Sequence, residues 1–116
     1  MPEISIVIPT LNSRPFIELC INSLFAQDCQ DFEVIIVDNN SKDGTADFIK
    51  IAYPKIILIE NKQNFGTCKA RNQGIKDSSG NWVLTLDCDV ILDKSFISKI
   101  LKTLESLSSS VGMIQA

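Results

Sequence analysis

The sequence predicts an α/β domain, a mainly parallel sheet with flanking helices, and three observations lead there. Apolar runs rich in β-branched residues alternate along the chain with segments whose apolar residues recur at helical spacing. The runs Ile4-Ser-Ile-Val-Ile-Pro9, Glu33-Val-Ile-Ile-Val37 and Trp82-Val-Leu-Thr-Leu86 are nearly continuous, as strands covered on both faces are. The strand ends then carry polar groups: Thr10 with Asn12, Asp38 with Asn39 and Asn40, and Asp87 with Asp89.

Taken in order, Ile4–Pro9 reads as a first strand stopped by proline. Thr10–Ser13 is a turn, with Ser13 the expected N-cap and Pro15 tolerated in the first helical turn. Phe16, Leu19, Cys20, Ser23 and Leu24 carry a helix to about Ala26. A polar connection leads to the second strand, Glu33–Val37. Asp38–Thr45 is built almost wholly of turn formers. Asp43 or Thr45 is expected to cap a short helix through Phe48 and Ile49, which Pro54 stops. Ile56–Ile59 is a third strand, and Thr67 is expected to cap the helix through Ala70, Arg71 and Ile75. The strand from Trp82 then delivers Asp87 and Asp89, which in extended backbone point to one side. An amphipathic helix spans about Lys94–Leu107, and Val111–Ala116 reads as the start of a further strand. The order βαβαβαβαβ implies right-handed crossovers.

At 116 residues the chain fits one domain over 1–116 with a real core. The net charge of −3 offers no general attraction to nucleic acid or anionic lipid. Met1-Pro-Glu runs straight into a strand, without a signal peptide, and no apolar stretch reaches transmembrane length. Four cysteines without C-x-x-C spacing, and no histidine, argue against zinc and for reduced thiols in a cytoplasmic protein. Neither G-x-x-x-x-G-K-[ST] nor G-x-G-x-x-G is present, and a hydrolase triad lacks its histidine.

What remains is the constellation at the strand ends. In an open α/β sheet, ligands bind outside the carboxyl ends of the strands, at a switch point in strand order. Asp87 and Asp89 offer two hard oxygen donors suited to Mg²⁺ or Mn²⁺, especially beside a phosphate. The alternative for an isolated D-x-D is a solvated turn. Asp38 either accepts hydrogen bonds from a ligand or initiates an Asx turn. Lys69 and Arg71 either reach phosphate or base or lie on a solvated helix face.

Four segments, Ser5–Asn12, Val37–Thr45, Asn64–Ile75 and Leu86–Asp89, together resemble the family 2 glycosyltransferases across nearly the whole chain. The resemblance implies a Rossmann-like GT-A fold, here truncated, and an inverting enzyme that moves a sugar from a nucleoside diphosphate sugar. UDP is the favoured nucleotide, and a glycan or lipid-linked molecule would be the acceptor of the full-length enzyme. It implies that Pro9, Thr10, Asn12, Asp38, Asn40, Arg71 and Asp87 bind the nucleotide sugar. Thr10 would line the base pocket, Asp38 would bond the base, and Arg71 would sit beside the nucleotide. Asp87 would touch the ribose or sugar side, and Asp89, with Asp87, would hold Mn²⁺ or Mg²⁺ at the diphosphate. The family's catalytic base is a carboxylate well beyond the D-x-D, so the expectation is a donor-binding portion without it; Asp93 and Glu105 are not assigned to that role. A longer parent is free to associate with the inner face of a membrane. The competing expectation is a non-enzymatic nucleotide-binding or assembly module, oligomeric through an unpaired edge at Val111. A phospho-acceptor domain would want a lysine after a later strand, which this chain lacks.

Overall fold

The computed structural model describes residues 2–107 and 112–113. Its elements are β1 (Ile4–Thr10), α1 (Arg14–Phe25), β2 (Phe32–Asp38), α2 (Thr45–Ala52), β3 (Ile57–Glu60), α3 (Thr67–Lys76), β4 (Trp82–Thr85) and α4 (Phe96–Glu105). The sheet order is β3-β2-β1-β4, and all three pairings are parallel. β1 is hydrogen-bonded on both sides and all seven of its residues are buried, which is why its composition is so strongly β-branched.

Strand alternation sorts the core into two layers. Ile4, Ile6 and Ile8 face the larger cluster, with Ile17, Cys20, Ile21 and Leu24 of α1, Ile49 of α2 and Ile97 of α4. Val7, Ile35 and Val37 face the other way, against Ala70 of α3. Helix α3 buries only Ala70 and Gly74, one turn apart, so it can lie almost directly on the sheet. A Cβ built on Gly74 would stand 2.3 Å from Val7 Cγ1.

The structure departs from the sequence reading at several places. β4 is a four-residue strand paired, among the described residues, with β1 alone, and Val83 and Thr85 are exposed. It is therefore not buried on both faces: Trp82 and Leu84 pack inward while their neighbours meet solvent. Nor does the extended strand run on through Asp87 and Asp89. The Val90 N–H donates to the Asp87 carbonyl at 3.3 Å, closing a turn around Cys88 and Asp89. The α3 N-cap is Gly66, at φ 86°, rather than Thr67. Ser13 occupies the N-cap position of α1 without capping through its side chain. Helix α4 is shorter than expected by about a turn. The expected strand at Val111–Ala116 falls outside the described residues, apart from Gly112 and Met113, which are in neither helix nor strand.

Candidate functional site

Strand order reverses between β1 and β4, since β2 and β3 extend the sheet on one side of β1 and β4 on the other. A cavity of about 460 Å³ opens there. Pro9 helps to create it. Glu3 and Val7 accept hydrogen bonds from Trp82 and Leu86 on the β4 side, whereas Thr10 accepts one from Asn39 on the β2 side. By alternation the backbone of Pro9 faces the β4 side, where pairing has already ended at Thr85. A proline inside a central strand is normally excluded for want of an N–H. Here, among the described residues, no partner strand asks for one, and Pro9 lines the cavity.

The floor of the site is set by two loops that clasp one another. The Asn12 N–H donates to Ser41 Oγ at 2.8 Å, and the Lys42 N–H donates to Asn12 Oδ1 at 2.7 Å. Ser13 N–H donates to Thr45 Oγ1 at 3.1 Å, while Arg14 N–H donates to Asp43 Oδ2 at 3.0 Å. Asp43 thus caps α1 from the far loop and also accepts the Thr45 N–H at 3.1 Å. Burial works to raise its pKa, but bonds from Thr45 and Arg14 outweigh that and hold its carboxyl below the usual range. With both ends tied, Asn12 and Asn40 hold left-handed φ values of 51° and 68°, a region asparagine tolerates better than most residues.

The structure divides the expected site residues. Pro9, Thr10, Asn12, Asp87 and Asp89 line the one cavity, facing Asn64, Gly66 and Thr67 at the start of α3. Asp38 and Asn40 line a second hollow of about 330 Å³. Asp38 is 2% exposed, and its two oxygens accept from the Ser41 N–H at 2.9 Å and Ser41 Oγ at 2.5 Å. The Asx turn is therefore formed, and these are two of the roughly four hydrogen bonds a carboxylate can accept. Arg71 lines neither hollow, but its Nη2 lies 3.8 Å from Asp87 Oδ1. Its Nε is buried without a partner among the described residues. Lys69 stands over the Phe65 ring, 4.1 Å from the centroid, on the exposed face of α3.

The sequence reading assigned no site role to three residues, although it placed Asn39 among the polar groups at the strand ends. Asn39, 4% exposed, lines the cavity and joins the β2 end to the Gly66 carbonyl, a role hidden among turn formers. Cys88 lines it too, accepting a hydrogen bond from Ser13 Oγ at 3.0 Å. Beneath the turn, burial first, and then the neighbouring Cys88 and Asp89, push the Cys20 thiol up to about 11, so it stays protonated at neutral pH.

Compared with known proteins, residues 5–115 match the profile of Glycosyl transferase family 2. The chain belongs to this family. A "PGL/p-HBAD biosynthesis glycosyltransferase" of Mycobacterium tuberculosis is 36% identical over 91 residues, covering 76% of this chain and 36% of that protein. "Glycosyltransferase AglE" of Haloferax volcanii is 34% identical over 110 residues, covering 90% of this chain and 36% of that protein. The chain thus spans about a third of the length of the curated relatives it matches. Among solved structures, S. aureus TarS 1-349 in complex with UDP superposes with a TM-score of 0.84 at 27% identity, covering 99% of this chain and 38% of that one. The mannosyltransferase PcManGT from Pyrobaculum calidifontis, in complex with GDP-Man and Mn²⁺, gives 0.84 at 26% identity, covering 96% and 34%. The fold of this family 2 chain is accordingly the GT-A type.

Two family expectations can be weighed on the geometry. Asp87 and Asp89 are both exposed on the cavity and supply hard oxygen donors. Among the described residues no group of three or more His, Cys, Asp or Glu is gathered to hold a metal. Two carboxylates with phosphate and water completing the shell suit Mg²⁺, so the donor set fits a cation shared with a ligand. No helix among the described residues is long and apolar enough to cross a membrane.

Proposed function

We propose that this chain is the donor-binding portion, a single domain, of an inverting glycosyltransferase, which moves a sugar from a nucleoside diphosphate sugar, UDP by preference, to a glycan or lipid-linked acceptor. The observation that carries this reading is the cavity at the β1/β4 switch point. It brings Thr10, Asn12, Asp87 and Asp89 against the N-terminus of α3. Free backbone N–H groups at that terminus favour an anion such as a phosphate. Arg71, one turn further along α3, leans toward Asp87 and adds positive charge to the same wall. Asp38, which lines the second hollow with Asn40, would accept hydrogen bonds from the base there. Asp89, with Asp87, would hold Mn²⁺ or Mg²⁺, which when bound neutralises charge on the departing diphosphate. In an inverting transfer the acceptor oxygen bonds the anomeric carbon as the bond to the diphosphate oxygen breaks. The acceptor proton passes to a carboxylate base, which we assign to a part of the parent enzyme beyond this chain. Four free cysteines suit a cytoplasmic location, where thiols stay reduced.

Isothermal titration of UDP, GDP and dTDP, each with Mn²⁺ and with EDTA, tests the reading. One nucleotide should bind in a metal-dependent way and lose most of its affinity in Asp89→Asn. Equal affinity with EDTA and in Asp89→Asn would refute the metal assignment. A second reading, an assembly module, draws on the side of β4 that has no partner strand among the described residues and the apolar groove of about 740 Å³ beside it. Concentration-dependent mass without nucleotide binding would favour that one.

A further inference from the structure

The rim of the cavity formed by the loop before α3 and the first residues of that helix has little burial to hold it, since every residue from Lys62 to Lys69 is exposed. What ties it down is a chain of side-chain amides. Asn39 N–H donates to the Thr10 carbonyl at 2.9 Å, and its Nδ2 donates to the Gly66 carbonyl at 3.1 Å. This one residue therefore spans from the β1 wall to the α3 wall. Its Oδ1 accepts from Asn61 Nδ2 at 2.9 Å and from the Phe65 N–H at 3.4 Å. Asn61 in turn forms a reciprocal pair with Gln73: Asn61 Nδ2 donates to Gln73 Oε1 at 2.8 Å, and Gln73 Nε2 donates to Asn61 Oδ1 at 2.9 Å. The Asn61 N–H donates to the Asp38 carbonyl at 2.8 Å, which anchors the chain to the end of β2.

The direction of each bond matters. Asn39 must accept on one atom and donate from the other, and Asn61 and Gln73 hold its amide in that sense. In a poorly solvated setting such linked bonds strengthen one another, and a half-satisfied set is costly. The Gly66 carbonyl also accepts the Ala70 N–H at 3.2 Å, so the same oxygen closes the first turn of α3 and receives the Asn39 amide. Gln73 does not line the cavity, yet it sets the orientation of a residue that does.

We infer that Asn39, oriented by Asn61 and Gln73, is a positioning residue that fixes the α3 wall for the nucleotide. This rests on the donor-binding reading above. It acts by holding Gly66 and the adjoining N–H groups at one distance from Thr10, so it governs affinity rather than any bond-making step.

Two variants test it, with UDP, GDP or dTDP, whichever the unaltered chain takes with Mn²⁺, as the probe. Asn39→Asp keeps shape and acceptor but removes the donor to Gly66. At pH 7.5 its Kd should rise about tenfold, the equivalent of one hydrogen bond of ~1.4 kcal/mol. Burial raises the pKa of an introduced carboxyl, and once protonated it can again donate to Gly66 while accepting from Asn61. The ratio of variant to unaltered Kd should therefore fall toward one at pH 5.5, a recovery that general loosening of the fold would not produce. Gln73→Met removes the half-buried orienting partner while keeping its length and should raise Kd severalfold with the melting temperature little changed; it decides the matter if Asn39→Asp does not fold. Unaltered affinity in either variant, or a ratio for Asn39→Asp that ignores pH, overturns the inference. If the unaltered chain binds no nucleoside diphosphate, the donor-binding reading itself fails, and this one with it.

Discussion

Gly74→Ala is the sharpest test of how α3 sits on the sheet. In an exposed helix this change stabilises by roughly 1 kcal/mol, because alanine is the better helix former. Here the added methyl would stand 2.3 Å from Val7 Cγ1 and 3.4 Å from Val37 Cγ2. Carbon atoms pack at about 3.5–4.0 Å, so more than an ångström of movement is needed. Val7 cannot supply it by retreating, because β1 is hydrogen-bonded on both sides and wholly buried. Helix α3 must lift instead, and overpacking of this kind costs about 1–3 kcal/mol. With the helix gain set against the upper part of that range, a net loss of about 1–2 kcal/mol is expected, or roughly 4–8 °C in Tm for a domain of this size. Urea unfolding followed by Trp82 fluorescence and far-UV dichroism would measure it. Asn72→Ala, on the exposed face of the same helix, serves as the control and should be neutral or stabilising. The cause can be isolated with Val7→Ala, which removes the obstructing methyl. The double variant should be more stable than the sum of the singles predicts, by about 1 kcal/mol. A Gly74→Ala chain as stable as its parent would refute the close approach, and additivity with Val7→Ala would refute its assignment to Val7.

Two further perturbations bear on the polar contacts that brace the fold. Glu33 Oε2 accepts from Ser5 Oγ at 2.5 Å, from the Ser79 N–H at 2.8 Å and from Ser79 Oγ at 2.9 Å. Burial tends to raise its pKa, but the bonds from Ser5 and Ser79 prevail and hold it below its ordinary 4.5. A carboxyl lowered in this way stabilises the fold above its unfolded pKa, and the contribution disappears as pH falls through the folded value. The gap in urea midpoint between the parent and Glu33→Gln should therefore be widest near neutrality and close in acid; a gap that persists unchanged at pH 3 would count against it. Asp43→Ala removes an N-cap acceptor from α1 and another from α2, and should cost about 1–2 kcal/mol by thermal unfolding, with Asp43→Asn costing less. Equal losses in the two would mean that the hydrogen-bonding role is misread.

The parts of this architecture written in local sequence were the legible ones. β1 and β2 announce themselves because strands buried on both faces need β-branched residues throughout, and Phe32–Asp38 extends the expected run by only a residue at each end. Thr10, Asn12, Asp87 and Asp89 were legible as residues at the sheet's carboxyl edge, because polar groups directly after the strands of a parallel sheet lie there. The misreadings are tertiary. Trp82–Leu86 looks like a central strand, but among the described residues β4 pairs with β1 alone and only its Trp82 and Leu84 face is packed, so Val83 and Thr85 meet solvent. Ser13 has the chemistry of an N-cap, yet Asp43 reaches the α1 N-terminus from another loop. Nothing near Asn39 or Gln73 in the chain tells that they are joined through Asn61, because the turn after β3 creates that meeting.

Pro9 has a consequence beyond shaping a cavity. A gap in a parallel sheet is a hazard as well as an opening, because bare backbone beside β1 is a template onto which any extended segment could zip. With no amide hydrogen at Pro9, a strand creeping past Thr85 meets a missing rung. The crevice can thus stay open to a small ligand while being a poor place for another polypeptide to dock. One imino acid leaves the groove without a complete ladder for another strand to join.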